Sequence, residues 1–412
     1  MLYLHEILSV LCALSVGLGI LFEKKLKIQP TIALLITSTI ITQASYFVNN
    51  DTLKVISSEI FNLPFDEIFL SYMLGLLLFA GAVHVKLDNI KKLFLEISVL
   101  AFISTIMSIG IVGVLIHLLA QYLGISLPWI DCLIFGAIIS PTDPIAIFGL
   151  LKELKAPDQL TTIIAGESLF NDGVGIVIFN ALCAMKIGLS SPTLLSISSD
   201  FIIVGAGGIC FGLMAYWLLK KIFQNPLTFA QKIMLMISFI ICGYEITEII
   251  HISGALFVVT LGLATNNLII NSTDKRIIFA FWEVIDEFLN LILFLLMGFV
   301  AIKISNDLHD LEIYFGLCSI PLVILTRLIC VKGALYTTSF FKKQPKNLDI
   351  IICWTGLRGA LAIALALSAP RTDLNLYHTL LVATYINVLF SVIIQGLTSK
   401  SLLKWYLNEK TS

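Results

Sequence analysis

The sequence predicts an all-α polytopic membrane protein of about thirteen transmembrane helices, built as two inverted six-helix repeats with discontinuous helices crossing at mid-membrane. Three observations predict it: a composition too apolar for water, a one-sided distribution of basic residues, and two interrupted apolar segments in corresponding places. Of 412 residues, 58% are hydrophobic and 13% charged, with a mean hydropathy of +0.98. Soluble domains carry about 25% charged residues, so most of this surface is expected to face lipid. A net charge of −1 leaves no basic footprint for nucleic acid.

A membrane helix needs about 20 mostly apolar residues. That rule places spans at 7–22, 30–48, 66–85, 95–121, 129–151, 159–186, 198–219, 231–247, 250–268, 277–302, 311–338, 349–369 and 376–399. The stretch 51–63 is too short and too polar to cross and is expected at the interface. The opening MLYLHEILSV lacks a basic n-region and reads as the start of a retained helix. Residues 1–410 thus form a single membrane domain without a soluble module, and the tail from 400 is too short to be one.

The basic residues orient it. Nineteen fall in loops after odd-numbered spans or in the C-terminal tail, against Lys54, Lys186, Lys303 and Arg371 on the other side. The bias predicts a cytoplasmic C-terminus and an N-terminus outside. Arg327, Lys332 and Arg358 fall inside spans; Lys332 is near enough to the inner end of its helix to snorkel.

A charge within the membrane costs on the order of 3 kcal/mol on insertion scales, so each one needs a reason. The bland reason is a buried ion pair that fixes packing, or a carboxylate close enough to a helix end to reach headgroups. Depth argues against the second for Asp143 and Asp172. With span six starting at Pro157 and Asp158, Asp172 lies roughly 20 Å along a helix crossing a ~30 Å core. Asp143 is similarly deep in span five. Its segment reads GAIISPTDPIAIFG, where Pro141 and Pro144 flank Thr142 and Asp143. Each proline removes a helical hydrogen bond, so the helix should break there and free its carbonyls. In span twelve, Gly356 and Gly359 surround Arg358 and mark a second break; close helix packing is the plainer reading of those glycines. The breaks are seven spans apart, which fits repeats of spans one to six and eight to thirteen, with span seven (198–219) as linker. Such paired breaks mark a secondary transporter with a midplane site.

On span six the helical period sets Glu167 with Asn171 and Ser168 with Asp172. Carboxylates, hydroxyls and freed carbonyls make an oxygen cage suited to a small cation. Eight cysteines and six histidines are dispersed, so no softer metal site competes. Glu167 needs a positive partner, which Arg358 or Arg327 can supply.

SPTDPIAIFG followed by GESLFNDGVGIVIF, 29 residues from Asp to Asp, resembles the monovalent cation–proton antiporter family of the NhaP and sodium/proton exchanger type. The likeness continues through EITEIIHISGALFVVTLGL, FWEVIDEFLNLILFLLMGF and GLRGALAIALALS, over nearly the whole chain. The resemblance implies a homodimer in a bacterial plasma membrane that exchanges Na+ or Li+ for H+, without a cofactor. It implies core helices at 95–186 and 311–399 and dimerisation helices at 7–85 and 231–302. Asp172 would bind cation and proton in turn, with Asp143, Thr142 and Ser168 completing the site. Asn171 would mark the electroneutral branch. Glu167 would be held by a core arginine, Arg358 being favoured over Arg327.

The nearest alternative is a potassium/proton antiporter on the same scaffold. An intramembrane aspartyl protease would need YD and GxGD patterns, whereas Asp172 stands in FNDGVG. A passive cation channel would move cations without coupled protons.

Overall fold

A computed structural model describes residues 4–26, 29–47, 64–143, 145–188, 194–268, 272–301, 304, 308–339 and 345–411. The expected interfacial stretch 51–63 lies outside them. The described chain is helical and, apart from one isolated β-bridge, contains no strand pairing.

The helices are α1 (Leu4–Leu21), α2 (Pro30–Phe47), α3 (Phe65–His84), α4 (Phe94–Tyr122), α5 (Trp129–Ile139), α6 (Ile145–Glu153), α7 (Asp158–Lys186) and α8 (Leu194–Ile222). They continue with α9 (Phe229–Ile249), α10 (Gly254–Thr265), α11 (Ser272–Phe299), α12 (Asp310–Ser339), α13 (Leu348–Thr355), α14 (Ala360–Ser368) and α15 (Leu374–Asn408). Pairing α5 with α6 and α13 with α14 as two halves of interrupted spans leaves thirteen long helical units among the described residues, with the short helix Leu87–Lys92 besides, which is consistent with the about thirteen spans that the hydropathy predicts.

Both interruptions fall where the sequence puts them. Helix starts carry local signals. Thr228 and Gln231 form a capping box at α9, Ser253 Oγ accepts from Leu256 N at α10, and Asp373 accepts from Asn375 and Leu376 at α15. The last helix outruns the expected end at 399. Leu403 and Tyr406, three residues apart, are both fully buried, so tertiary packing continues the helix through a polar tail.

Packing follows two lines. Helix α4 lies against α5 and α12, α5 against α7, and α12 against α15. Separately, α2 packs on α11, α3 on α10, and α8 on α10. Large apolar side chains such as Ile202, Ile203 and Trp217 on α8 or Met234 and Ile241 on α9 point outward, as a lipid-facing surface requires. Lys332 is exposed on α12.

One polar contact involves a basic residue counted on the outer side. The Lys186 ammonium is buried and paired with Asp131 Oδ1 at 2.5 Å, with the Pro370 carbonyl at 3.3 Å. It therefore ties the end of α7 to the start of α5 and to the turn after α14. A paired ammonium can remain buried where a lone one could not.

Candidate functional site

The break in α5–α6 arises from its prolines. In a continuous helix the N–H of residue 144 would donate to Ser140 O, and Pro144 has none to give. The Arg358 guanidinium takes its place: Nη1 donates to the Ser140 carbonyl and to the Pro141 carbonyl at 2.8 Å. A cation at the carbonyl end of a helix is also favoured by the helix dipole. Arg358 is itself held through its backbone N–H, which donates to Ser391 Oγ at 2.8 Å; Ser391 donates to Gln395 Oε1 at 2.6 Å. Those two residues bound a π-helical turn of α15, a local widening often found at functional sites.

The two breaks touch directly. Asp143 N–H donates to Leu357 O at 2.7 Å, an antiparallel bridge between the extended segments. Gly359 permits this crossing, since a Cβ there would overlap the Asp143 carboxylate. That carboxylate therefore lies beside the residue preceding α14, and the positive end of the helix dipole favours its negative charge. Gly175 on α7 similarly accommodates the Pro141 ring.

Helix α7 divides its polar residues between two directions. Asp172 and Ser168 line a cavity of about 70 Å³ together with Asp143. Asn171 turns away and locks the break: its Oδ1 accepts from Thr142 N at 3.3 Å and its Nδ2 donates to Thr142 Oγ1 at 2.8 Å. Thr142 Oγ1 lies 3.1 Å from Ser168 Oγ. Because it accepts from Asn171, it can pass its own proton toward Ser168. Thr142 and Asn171 are thus a buried support behind the cavity, and only part of the expected oxygen cage lines it.

Glu167 also faces away from the cavity. Its partner is Arg327, with both side chains almost completely buried. The preference for Arg358 is corrected here, because Arg358 is occupied by the α5 carbonyls.

The cavity has apolar walls on one side, from Phe69, Leu74 and Leu78 of α3, Leu293 of α11 and Leu361 of α14. On the other side it meets a vestibule of about 520 Å³ rimmed by Lys86, Lys152, Lys155, Asp158 and Glu283. That is the face which the charge bias assigns to the cytoplasm.

Sequence reasoning missed Asp286 on α11, which lines both the cavity and the vestibule. The signal was available, since it is a carboxylate well inside an apolar span, the criterion that found Asp143 and Asp172. Among the described residues no group of three or more His, Cys, Asp or Glu has metal-holding geometry.

The family model described as sodium/hydrogen exchanger, transmembrane, matches residues 10–405. The chain belongs to the sodium/hydrogen exchanger family. Within it, the chain is 31% identical over 408 residues to the Na+/H+ antiporter NhaP of Pseudomonas aeruginosa, covering 95% of each chain. It is 30% identical over 421 residues to the Na+/H+ antiporter NhaH of Halobacillus dabanensis, covering 97% of this chain and 98% of that one. The fold matches the structure of the sodium proton antiporter MjNhaP1 from Methanocaldococcus jannaschii at pH 8 with a TM-score of 0.74 and 20% identity, covering 97% of each chain. These relatives are antiporters, not enzymes, and membership of the exchanger family sets the protease alternative aside.

The Glu167–Arg327 pair yields a stability prediction. Glu167→Gln strands a buried guanidinium and should cost about 3–5 kcal/mol. Asp172→Asn, at a cavity wall, should cost much less. Melting temperatures in detergent check this, and equal values for the two variants would contradict the pairing.

Proposed function

We propose that this protein exchanges sodium or lithium for protons across the membrane by alternating access, with cation and proton competing for Asp172. The observation that carries this reading is a single cavity holding Asp172, Ser168 and Asp143 at the crossing of the two broken helices. The relatives' names supply the ions. The geometry supports the competition: Asp172 has Ser168 beside it, one turn back on α7, while Glu167 is engaged by Arg327. A small cation arriving in the cavity would find carboxylate and hydroxyl oxygens, the hard ligands it prefers.

The same reading makes the vestibule the cytoplasmic entrance, so the conformation described is inward-facing. Helices at 95–186 and 311–399 act as a moving core carrying Asp172, Asp143 and their supports. Helices at 7–85 and 231–302 form the static, dimerising side. Sliding the core past the wall of Phe69, Leu74 and Leu293 would expose the cavity to the opposite face. A potassium/proton antiporter uses the same machinery with a different ion, and the choice of cation in the assay separates the two.

Exchange is electroneutral in this account. Asn171 cannot titrate, and it is committed to Thr142. One carboxylate then trades one cation for one proton, and no net charge crosses. A membrane potential acts at about 2.3 kcal/mol per charge per 100 mV, which here multiplies zero.

Two outcomes check the proposal in proteoliposomes carrying a pH dye, challenged in turn with sodium, lithium and potassium. Asp172→Asn should abolish coupled exchange while the protein keeps its melting temperature; residual exchange would contradict the assignment. For the wild type, the balance point between opposed sodium and proton gradients should not move when the potential is clamped at different values. A displaced balance point would mean that a second group titrates.

A further inference from the structure

The inner cavity and the vestibule share five lining residues: Gly81, Val85, Phe148, Ala165 and Asp286. These form the passage between them, and the first four offer no side-chain oxygen. A cation entering a neck of Gly, Val, Phe and Ala loses hydration with nothing to replace it, which is costly in a low-dielectric interior. Asp286 is the single polar side chain of that passage among the described residues.

Its surroundings suit a group that meets a passing ion. Asn290 Nδ2, one turn further along α11, donates to Asp286 Oδ1 at 3.2 Å and fixes the carboxylate. Asn290 is buried, and its own Oδ1 has no hydrogen-bond partner. One turn toward the vestibule, Glu283 is paired with Lys152 across the rim, so that carboxylate is already compensated. The other charged or titratable groups facing the vestibule are His84 and Lys86 at the end of α3, Lys155 after α6 and Asp158 at the start of α7. Asp158 lies 3.8 Å from Lys86. Among the described residues no ammonium or guanidinium forms an ion pair with Asp286. It is thus the uncompensated acid on the path from the rim to Asp172.

We propose that Asp286 is a positioning residue for cation transfer, which lends its carboxylate to a partly dehydrated cation between the vestibule and Asp172. This rests on the antiport reading above and adds an asymmetry to it. Asp286 belongs to α11, on the side taken as static, whereas Asp172 and Asp143 belong to the core. The two can share a cation only while the core faces the vestibule. Once the core has moved, Asp172 loads and unloads on the other face without Asp286. The residue should therefore tune affinity on one face of the membrane alone, a property that a merely structural carboxylate would lack.

The test is the Michaelis constant for sodium, or for whichever cation the wild type exchanges, measured separately at the two faces in everted and right-side-out membrane vesicles. Asp286→Asn should raise it at the vestibule face by about threefold to tenfold, the scale of losing one partly screened charge near the ion. The opposite face should stay within about twofold, with maximal rate, stoichiometry and melting temperature retained, and Asp286→Glu should recover most of the affinity. An unchanged constant at the vestibule face, an equal rise at both faces, or a variant that no longer folds would overturn the proposal. If the wild type itself moves none of sodium, lithium or potassium against protons, the antiport reading fails instead.

Discussion

The structure depends on one crossing inside the membrane, where the Asp143 amide donates to the Leu357 carbonyl. Backbone that leaves a helix at this depth must find every hydrogen bond within the protein. Here each broken strand supplies what the other lacks. The second break contributes a carbonyl for Asp143, a guanidinium for the orphaned Ser140 and Pro141 carbonyls, and the start of α14 for the Asp143 carboxylate. The glycine at 359 is what allows the approach. Without this mutual satisfaction neither interruption could persist in lipid, and Asp143 would have no place at mid-membrane.

Around the crossing the buried ion pairs stand apart from the groups that line the cavity. Glu167 and Arg327 neutralise each other within the core, Asp131 and Lys186 do so near the end of α7, and Arg358 is absorbed by helix carbonyls. These buried ions are expensive, and each is arranged so that removing one partner would strand the other. What stays facing the cavity is a small set: Asp172, Asp143, Ser168 and, from the other side, Asp286. In the proposed account, rigid, compensated charge frames the one carboxylate that changes its ligand, Asp172. That division lets one fold be both stable in lipid and responsive to protons and cations.

Much of this was legible in the residues. Apolar runs separated by polar loops gave the spans, because the bilayer sets their length. Pro141 and Pro144 located one break and Gly356 and Gly359 the other, since backbone chemistry acts where the residue stands. The partner of Glu167 was not legible: Arg327 and Arg358 carry the same charge, and only the fold shows that the α5 carbonyls occupy one of them. Helical periodicity grouped Ser168 with Asp172, but it could not show that Thr142 and Asn171 sit behind the cavity instead of in its wall. Asp286 was legible by its depth in an apolar span, but the passage that it lines was not. Its importance comes from α3 and α7 closing the passage around it, a contact between distant parts of the chain.

The central claim, that proton and cation compete for one carboxylate, is tested most directly by counting protons released when the cation binds. Isothermal titration calorimetry of the purified protein with sodium, repeated in buffers of different ionisation enthalpy and across a range of pH, gives that number. The account predicts release approaching one proton per cation at the acidic end of the range and falling toward zero as pH rises, with Asp172→Asn binding no cation. Sodium binding with no proton release at any pH, or release approaching two, would contradict it.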